Sequence, residues 1–118
     1  MKKKYSIILL ILAFSMTTNL KAQTQAEMNQ TAHSNFTKVD SNLNKVYKQV
    51  MKILSEKEKK LMIKAQKDWL KFRDSHCKFE IEQYNGGSIQ PLIYSNCLTQ
   101  LTNARIENLK EIIEDDAR

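Results

Sequence analysis

The chain has 118 residues, a length that fits a single domain. It contains only two glycines and one proline, and this scarcity of turn-forming residues argues against a sheet of many strands. Its formal net charge is +6, but four of its 19 basic residues and none of its 13 acidic residues lie in the first 22 positions. The remaining 15 basic residues give a charge near +2, which lacks the concentrated positive excess that nucleic-acid binding needs.

Residues 1–22 have the pattern of a secretory signal peptide. Lysines at positions 2–4 form the basic start, residues 7–14 form an apolar run, and a short polar region ends at Ala22. The apolar run is short for a membrane span, and no cysteine follows it that could carry a lipid anchor. We therefore expect cleavage near Ala22 and a periplasmic or secreted domain, residues 23–118, without a membrane anchor.

Hydrophobic periodicity predicts three helices, at about 25–54, 56–84 and 89–114. Apolar residues of the first recur at steps of three and four: Met28, Ala32, Phe36, Val39, Leu43, Tyr47, Val50 and Leu54. Ser55 and Glu58 fit a capping box at the start of the second helix. Asn85, Gly86 and Gly87 are typical of a helix end, and Ser88 is the expected cap of the third helix, with Pro91 in its first turn. Short connections favour an all-α, antiparallel three-helix bundle with up-down-up topology.

The two cysteines are placed symmetrically about the second turn. Cys77 lies ten residues before Gly87, and Cys97 lies ten residues after it. Antiparallel helices that turn at Gly87 bring both cysteines to the same height, and an exported pair is more often a structural disulfide than a metal site. Closing a loop of about 20 residues is worth roughly 3 kcal/mol in the chain-entropy model.

The second helix has two contrasting faces. One stripe consists of lysines, which we interpret as a solvated face, with a surface for an acidic partner as the alternative: Lys60, Lys64, Lys67 and Lys71. The opposite face is predicted to contact the other helices: Met62, Ala65, Trp69, Phe72, His76 and Phe79.

Polar residues also interrupt the apolar rows, and the two turns bring them to one layer of the bundle: Asp40, Asn44, Gln66, Arg73 and Arg105. A buried charge is costly unless it is paired, so we expect an ion pair of Asp40 with Arg73 or with Arg105. Trp69 is expected to offer its ring to a guanidinium group. This layer is either an internal network that fixes helix register or a patch that faces a ligand.

Signatures of catalysis are largely absent from the sequence. It has no glycine-rich phosphate loop, no nucleophile elbow and no H-E-x-x-H motif. His33 and His76 are far apart in sequence, and the adjacent His76 and Cys77 lack the ligand number that zinc requires. We expect a protein that is not an enzyme, with no metal and no cofactor.

An ordered set of motifs resembles a known family. The set comprises MNQTA (28–32), VDSNLNKVY (39–47), AQKDWLKFRDSHC (65–77), GGS (86–88), Cys97 and LTNARIENL (101–109). This set resembles the lysozyme inhibitor LprI-like family and covers about residues 26–110. The resemblance implies small, exported, helical bacterial proteins and, for at least one lipoprotein member, inhibition of lysozyme. The family's recurrent positions fall here on Asp40, Leu43, Asn44, Tyr47, Gln66, Trp69, Arg73, Asp74, Cys77, Cys97 and Arg105.

Two departures from the family pattern limit what carries over. Thr31 stands where many members have cysteine, so a second disulfide is not expected, and the lipid-anchor cysteine of the lipoprotein member is missing.

The sequence therefore predicts an exported, non-enzymatic protein that binds a protein partner, possibly a lysozyme, and inhibits it by occlusion. Its oligomeric state, monomer or dimer, is open. The candidate binding loop is Asn85, Gly86, Gly87 and Ser88. The alternative is that this loop only connects two helices. A second hypothesis is a cell-envelope accessory or small-anion-binding module that uses Arg73 and Arg105, without lysozyme inhibition.

Overall fold

The computed structural model describes the backbone of residues 2–118 and the side chains of residues 24–118, so the side chains of the predicted signal peptide, residues 1–22, lie outside the described set. The chain forms α1 (Lys2–Ile53), α2 (Glu56–Ile81) and α3 (Gln90–Asp116), with a single 3-10 turn (Glu82–Tyr84) after α2. The residues that the structure describes contain no strand. The prediction of an all-α fold with three helices is confirmed.

The turn between α1 and α2 is built by the predicted capping box. The Glu58 backbone N–H donates to Ser55 Oγ at 3.4 Å, and the Ser55 backbone N–H donates to Glu58 Oε2 at 2.8 Å. Both bonds satisfy backbone donors that a helix start leaves without a partner inside the helix. Hydrogen bonds from the Ser55 side chain and backbone hold the pKa of the Glu58 carboxyl below its ordinary value.

The turn between α2 and α3 differs in one respect from the prediction. Gly86 has φ +77°, the left-handed conformation that glycine adopts without strain. Pro91 lies in the first turn of α3 as expected, but the cap residue is Ile89, without a side-chain bond, so the prediction of Ser88 as the cap is wrong. The Ser88 carbonyl instead accepts a hydrogen bond from Asn29 Nδ2 at 3.0 Å, which ties the turn to α1.

α3 packs most closely against α1, and contacts at both ends of the bundle show that these two helices run in the same direction. α2 runs antiparallel to both. The main core is formed by buried residues of α1 and α3: Leu43, Val46, Val50, Ile106 and Leu109. A second cluster surrounds the cysteines, with Leu98 buried and Phe36, Tyr94 and Leu101 packed against it. The polar layer lies between these two clusters.

Candidate functional site

The disulfide predicted between the two central cysteines is present. Cys77 and Cys97 are bonded, with their Cα atoms 5.7 Å apart. Cys77 is fully buried and Cys97 is nearly so. This bond joins α2 to α3 on the side of the polar layer that is nearer to the second turn.

Arg73 is the centre of the polar layer. Its side chain is buried, and its Nη1 donates to Asp40 Oδ1 at 3.0 Å and to Thr102 Oγ1 at 3.3 Å. Its Nε donates to Asp74 Oδ1 at 2.9 Å. Of the two ion pairs considered for Asp40, the structure has the one with Arg73. The charge of this arginine is thus compensated by two carboxylates that are themselves partly exposed to water.

Aromatic rings complete the environment of Arg73. The guanidinium carbon lies 5.3 Å from the ring centroid of Phe36 and 5.3 Å from that of Trp69. These distances are within the range of cation–π attraction. The expected contact of Trp69 with a guanidinium group is confirmed, and the side chain of Arg73 is held from several sides.

Arg105 lies on the other side of Trp69, with its guanidinium carbon 5.9 Å from the ring centroid. Its Nε donates to Gln66 Oε1 at 3.0 Å, and its Nη2 approaches Met62 Sδ at 3.7 Å. Both partners are neutral, so no carboxylate of the described residues compensates this charge. Partial burial lowers the pKa of the Arg105 guanidinium from its ordinary value.

Asn44 does not belong to this layer. It is exposed, and the hydrogen bonds of the layer do not include it. The helical rotation that buries Leu43 and Val46 on either side of it turns Asn44 outward. Sequence reasoning also missed Thr102, which is fully buried beside Arg73; its position one turn before Ile106 on the buried face of α3 was the available signal.

The second turn and the chain around it form a different surface, which we call the loop end (residues 24–37 and 76–96). The candidate binding residues Asn85, Gly86, Gly87 and Ser88 are all exposed here. Gln25, Asn29 and Pro91 line a groove with the turn glycine Gly87, so α1 and the turn form one continuous surface.

The predicted contact face of α2 is wrong at three positions. Ala65 is exposed, Phe72 is 54% exposed and Phe79 is 77% exposed, although all three were expected to contact the other helices. Because α3 packs most closely against α1, α2 buries only a narrow stripe, in which Gln66, Arg73 and Cys77 follow at steps of seven and four. Phe72 stacks on His76 with ring centroids 5.4 Å apart.

Few of the titratable side chains are arranged for metal binding or acid-base chemistry. His76 Nε2 lies 3.0 Å from Glu80 Oε1, and Cys97 Sγ lies within 4.8 Å of both groups. The Cys97 sulfur is bonded to Cys77 and is not a thiolate, so this cluster offers two donors where zinc takes four ligands. His33 is exposed on α1.

A search of the helices in the described part of the chain found none long and apolar enough to cross a membrane.

Comparisons with known proteins agree with the motifs. The family described as "Lysozyme inhibitor LprI" matches residues 15–109 of this chain. An uncharacterized protein of Rhizobium meliloti (strain 1021) is 39% identical over 46 residues, which are 39% of this chain and 33% of that protein. The chain thus matches about a third of the length of that relative. No solved structure matches.

Proposed function

Because this chain belongs to the LprI family of lysozyme inhibitors, we propose that it is an exported, non-enzymatic protein that binds a lysozyme-type muramidase and inhibits it by occlusion. The observation that carries this proposal is the family match over residues 15–109. The proposal includes removal of residues 1–22 and a mature domain of residues 23–118.

The internal bonding of the polar layer supports inhibition by occlusion. The donors of Arg73 are directed at Asp40, Asp74 and Thr102, all within the same chain. Catalysis needs a reactive group in a cleft that a substrate can enter. Here the buried charged group is Arg73, and its donors are already bonded within the chain. An inhibitor that blocks a cleft needs only an exposed surface of fixed shape, and the exposed turn of the loop end, which the disulfide ties to both helices, is our candidate for it.

The test is lysis of peptidoglycan by a panel of lysozymes from different classes, with the oxidised protein added in increasing amounts. We expect one class to be inhibited at a molar ratio near one to one. The control is an equal amount of the reduced and alkylated protein, which loses the tie between α2 and α3. A folded, oxidised protein that inhibits no class would contradict the proposal.

A second candidate function is supported by the neutral partners of Arg105. A half-buried guanidinium without a carboxylate can bind a small anion, as an envelope accessory module would. Phosphate would then raise the melting temperature of the wild-type protein but not that of Arg105→Gln. Equal stabilisation of both proteins by phosphate would assign Arg105 to packing alone.

A further inference from the structure

Phe79 is an unusual surface residue of this bundle. Its side chain is 77% exposed, the highest value among the exposed large hydrophobic side chains of the described residues. It lines an open groove of about 560 Å³ together with Glu80, Glu82, Tyr84 and Ile93. Burial of an exposed aromatic ring against a partner removes apolar surface from water, and large aromatic side chains are common among the residues that anchor interfaces.

The charges around Phe79 differ in sign from those of the middle of the chain. The loop end contains Glu27, Glu80 and Glu82 against Lys78, a net charge of −2. Residues 38–75 contain 11 basic and five acidic residues, a net charge of +6. Residues 97–118 contain three basic and five acidic residues, a net charge of −2, so the small positive charge of the mature chain conceals two acidic regions. The loop end is one of them, and its charge favours a cationic partner.

The two carboxylates of the groove differ in their own partners. Glu80 Oε1 lies 3.0 Å from His76 Nε2. Glu82 begins the 3-10 turn, is exposed and has no ion-pair partner among the described residues. An incoming cation would therefore meet an aromatic ring and one carboxylate that is not already engaged.

We propose that the Phe79 groove binds a lysine or arginine side chain on the surface of a cationic muramidase, an assignment that rests on the proposed function. The cation lies against the Phe79 ring and donates a hydrogen bond to Glu82, and the Glu80 carboxylate adds to the negative charge of the groove. The exposed turn, residues 85–88, then contacts the partner beside this anchor. The partner is thus a basic lysozyme, because a muramidase with an acidic contact surface would be repelled at the loop end.

A second copy of this chain that docks through its own loop end is a poorer occupant of the same groove. A two-fold dimer through the loop end would bring two surfaces of net charge −2 together. Like charges across an interface are destabilising, so the electrostatics favour a partner of opposite sign.

The test compares inhibition constants for a basic animal lysozyme among variants of the full, oxidised protein. We expect Phe79→Ala to weaken inhibition by about tenfold or more, as loss of an interface anchor does. The matched control is Phe72→Ala, which removes the other exposed phenylalanine of α2 and should change inhibition by less than about twofold. Circular dichroism checks that both variants remain helical.

A charge pair tests the electrostatic part. Glu80→Gln with Glu82→Gln should weaken inhibition and reduce its dependence on salt, since screening acts on the charges that are removed. The control, Glu111→Gln with Glu114→Gln, removes two charges from the distant end of α3 and should leave inhibition unchanged.

The outcomes separate this inference from the proposed function. Equal inhibition constants for Phe79→Ala and Phe72→Ala would overturn the assignment of the groove and leave the inhibitor function intact. The same holds if only the control variant with changes at Glu111 and Glu114 loses inhibition. Inhibition of acidic muramidases alone would overturn the predicted charge of the partner. A wild-type dimer that Phe79→Ala converts to a monomer with full inhibition would assign the groove to self-association. Failure to inhibit any lysozyme contradicts both proposals.

Discussion

The polar layer and the loop end use charged and aromatic residues in opposite ways. In the layer, Arg73 lies between two rings and is bonded to Asp40, Asp74 and Thr102 of its own chain. At the loop end, Phe79 and Glu82 are exposed, and Glu82 has no ion-pair partner in the described part of the molecule. Around Arg73 the layer is bonded internally, whereas the loop end has groups to offer a partner.

This difference separates the residues that carry the family motif from the residues that we propose to contact a partner. Trp69, Arg73 and Cys77 belong to the most specific motif of the resemblance; Arg73 and Cys77 are buried, and Trp69 is partly buried against the core. We infer that a motif of this kind reports the fold, because buried polar groups that bond across helices can specify helix register. We infer that the contacts with a muramidase are made by neighbouring residues outside the specific part of the motif.

Loss of the disulfide is expected to affect both regions and has the largest predicted effect. Cys77→Ala with Cys97→Ala opens a loop with a sequence separation of 20 residues, and the chain-entropy model predicts a loss of about 3 kcal/mol in the free energy of unfolding. Urea unfolding measures this loss, and lysozyme inhibition should fall as well. Reduced wild-type protein is the control and should match the double variant. A double variant as stable as the oxidised protein would show that the bond does not constrain the bundle.

Arg73→Ala tests the layer alone. The change removes the hydrogen bonds of Arg73 and the cation between Phe36 and Trp69, and we expect a loss of about 2 kcal/mol. The value is below that of a fully buried pair because Asp40 is 38% exposed and can be hydrated. Inhibition by the folded fraction should be unchanged.

Phe79→Ala should give the reverse result, with a stability change of less than about 0.5 kcal/mol and weakened inhibition.

If Arg73→Ala abolished inhibition at temperatures where the variant is fully folded, the layer would be part of the binding surface. The comparison between the two regions would then fail.

Much of the layer was predictable because helical periodicity and turn positions set which residues share a height. Asp40, Gln66, Arg73 and Arg105 follow from these two facts alone. Asn44 was placed wrongly because it lies at the edge of an apolar row, where a small rotation of α1 decides between burial and exposure. The choice of Arg73 over Arg105 as the partner of Asp40 depends on side-chain geometry, which periodicity does not contain.

The loop end was less predictable for a different reason. The sequence gives α2 a wide apolar face, and burial of that whole face would require close packing against both other helices. The structure instead pairs α1 with α3, which leaves Phe72 and Phe79 exposed. Pairing between helices is a property of the assembled bundle, so no local pattern reveals it.

Gly86→Ala tests the conformation of the loop end. Gly86 has φ +77°, and an added Cβ meets no atom within 4 Å, so the cost arises from the backbone alone. The left-handed conformation costs alanine about 1 to 2 kcal/mol, and lower entropy of the unfolded chain offsets part of this, which gives a net loss of about 1 kcal/mol. Inhibition should weaken because the exposed turn moves.

Ser88→Ala is the control and should be neutral in stability, since Ser88 is exposed and does not cap α3. If Gly86→Ala were as stable as the wild type, residue 86 would not have the left-handed backbone conformation described here.

Ser55→Ala has the smallest expected effect and lies far from both regions. The exposed cap contributes about 0.5 kcal/mol, the lower part of the range for helix caps. Part of this contribution depends on pH, because Ser55 lowers the pKa of Glu58 in the folded state from its ordinary value of 4.5. A lowered folded pKa stabilises the protein above the unfolded value, and this stabilisation is lost as pH falls through the folded value.

The difference in stability between wild type and Ser55→Ala should therefore be larger at pH 7 than at pH 3, as measured by urea unfolding. Glu56→Gln is the control: it removes an exposed carboxylate from the same helical turn without breaking the capping box. Lysozyme inhibition by Ser55→Ala should equal that of the wild type, since the first turn lies at the opposite end of the bundle from Phe79. Reduced inhibition in this variant would extend the contact surface along α2 and remove the distinction between an internally bonded body and an acidic binding end.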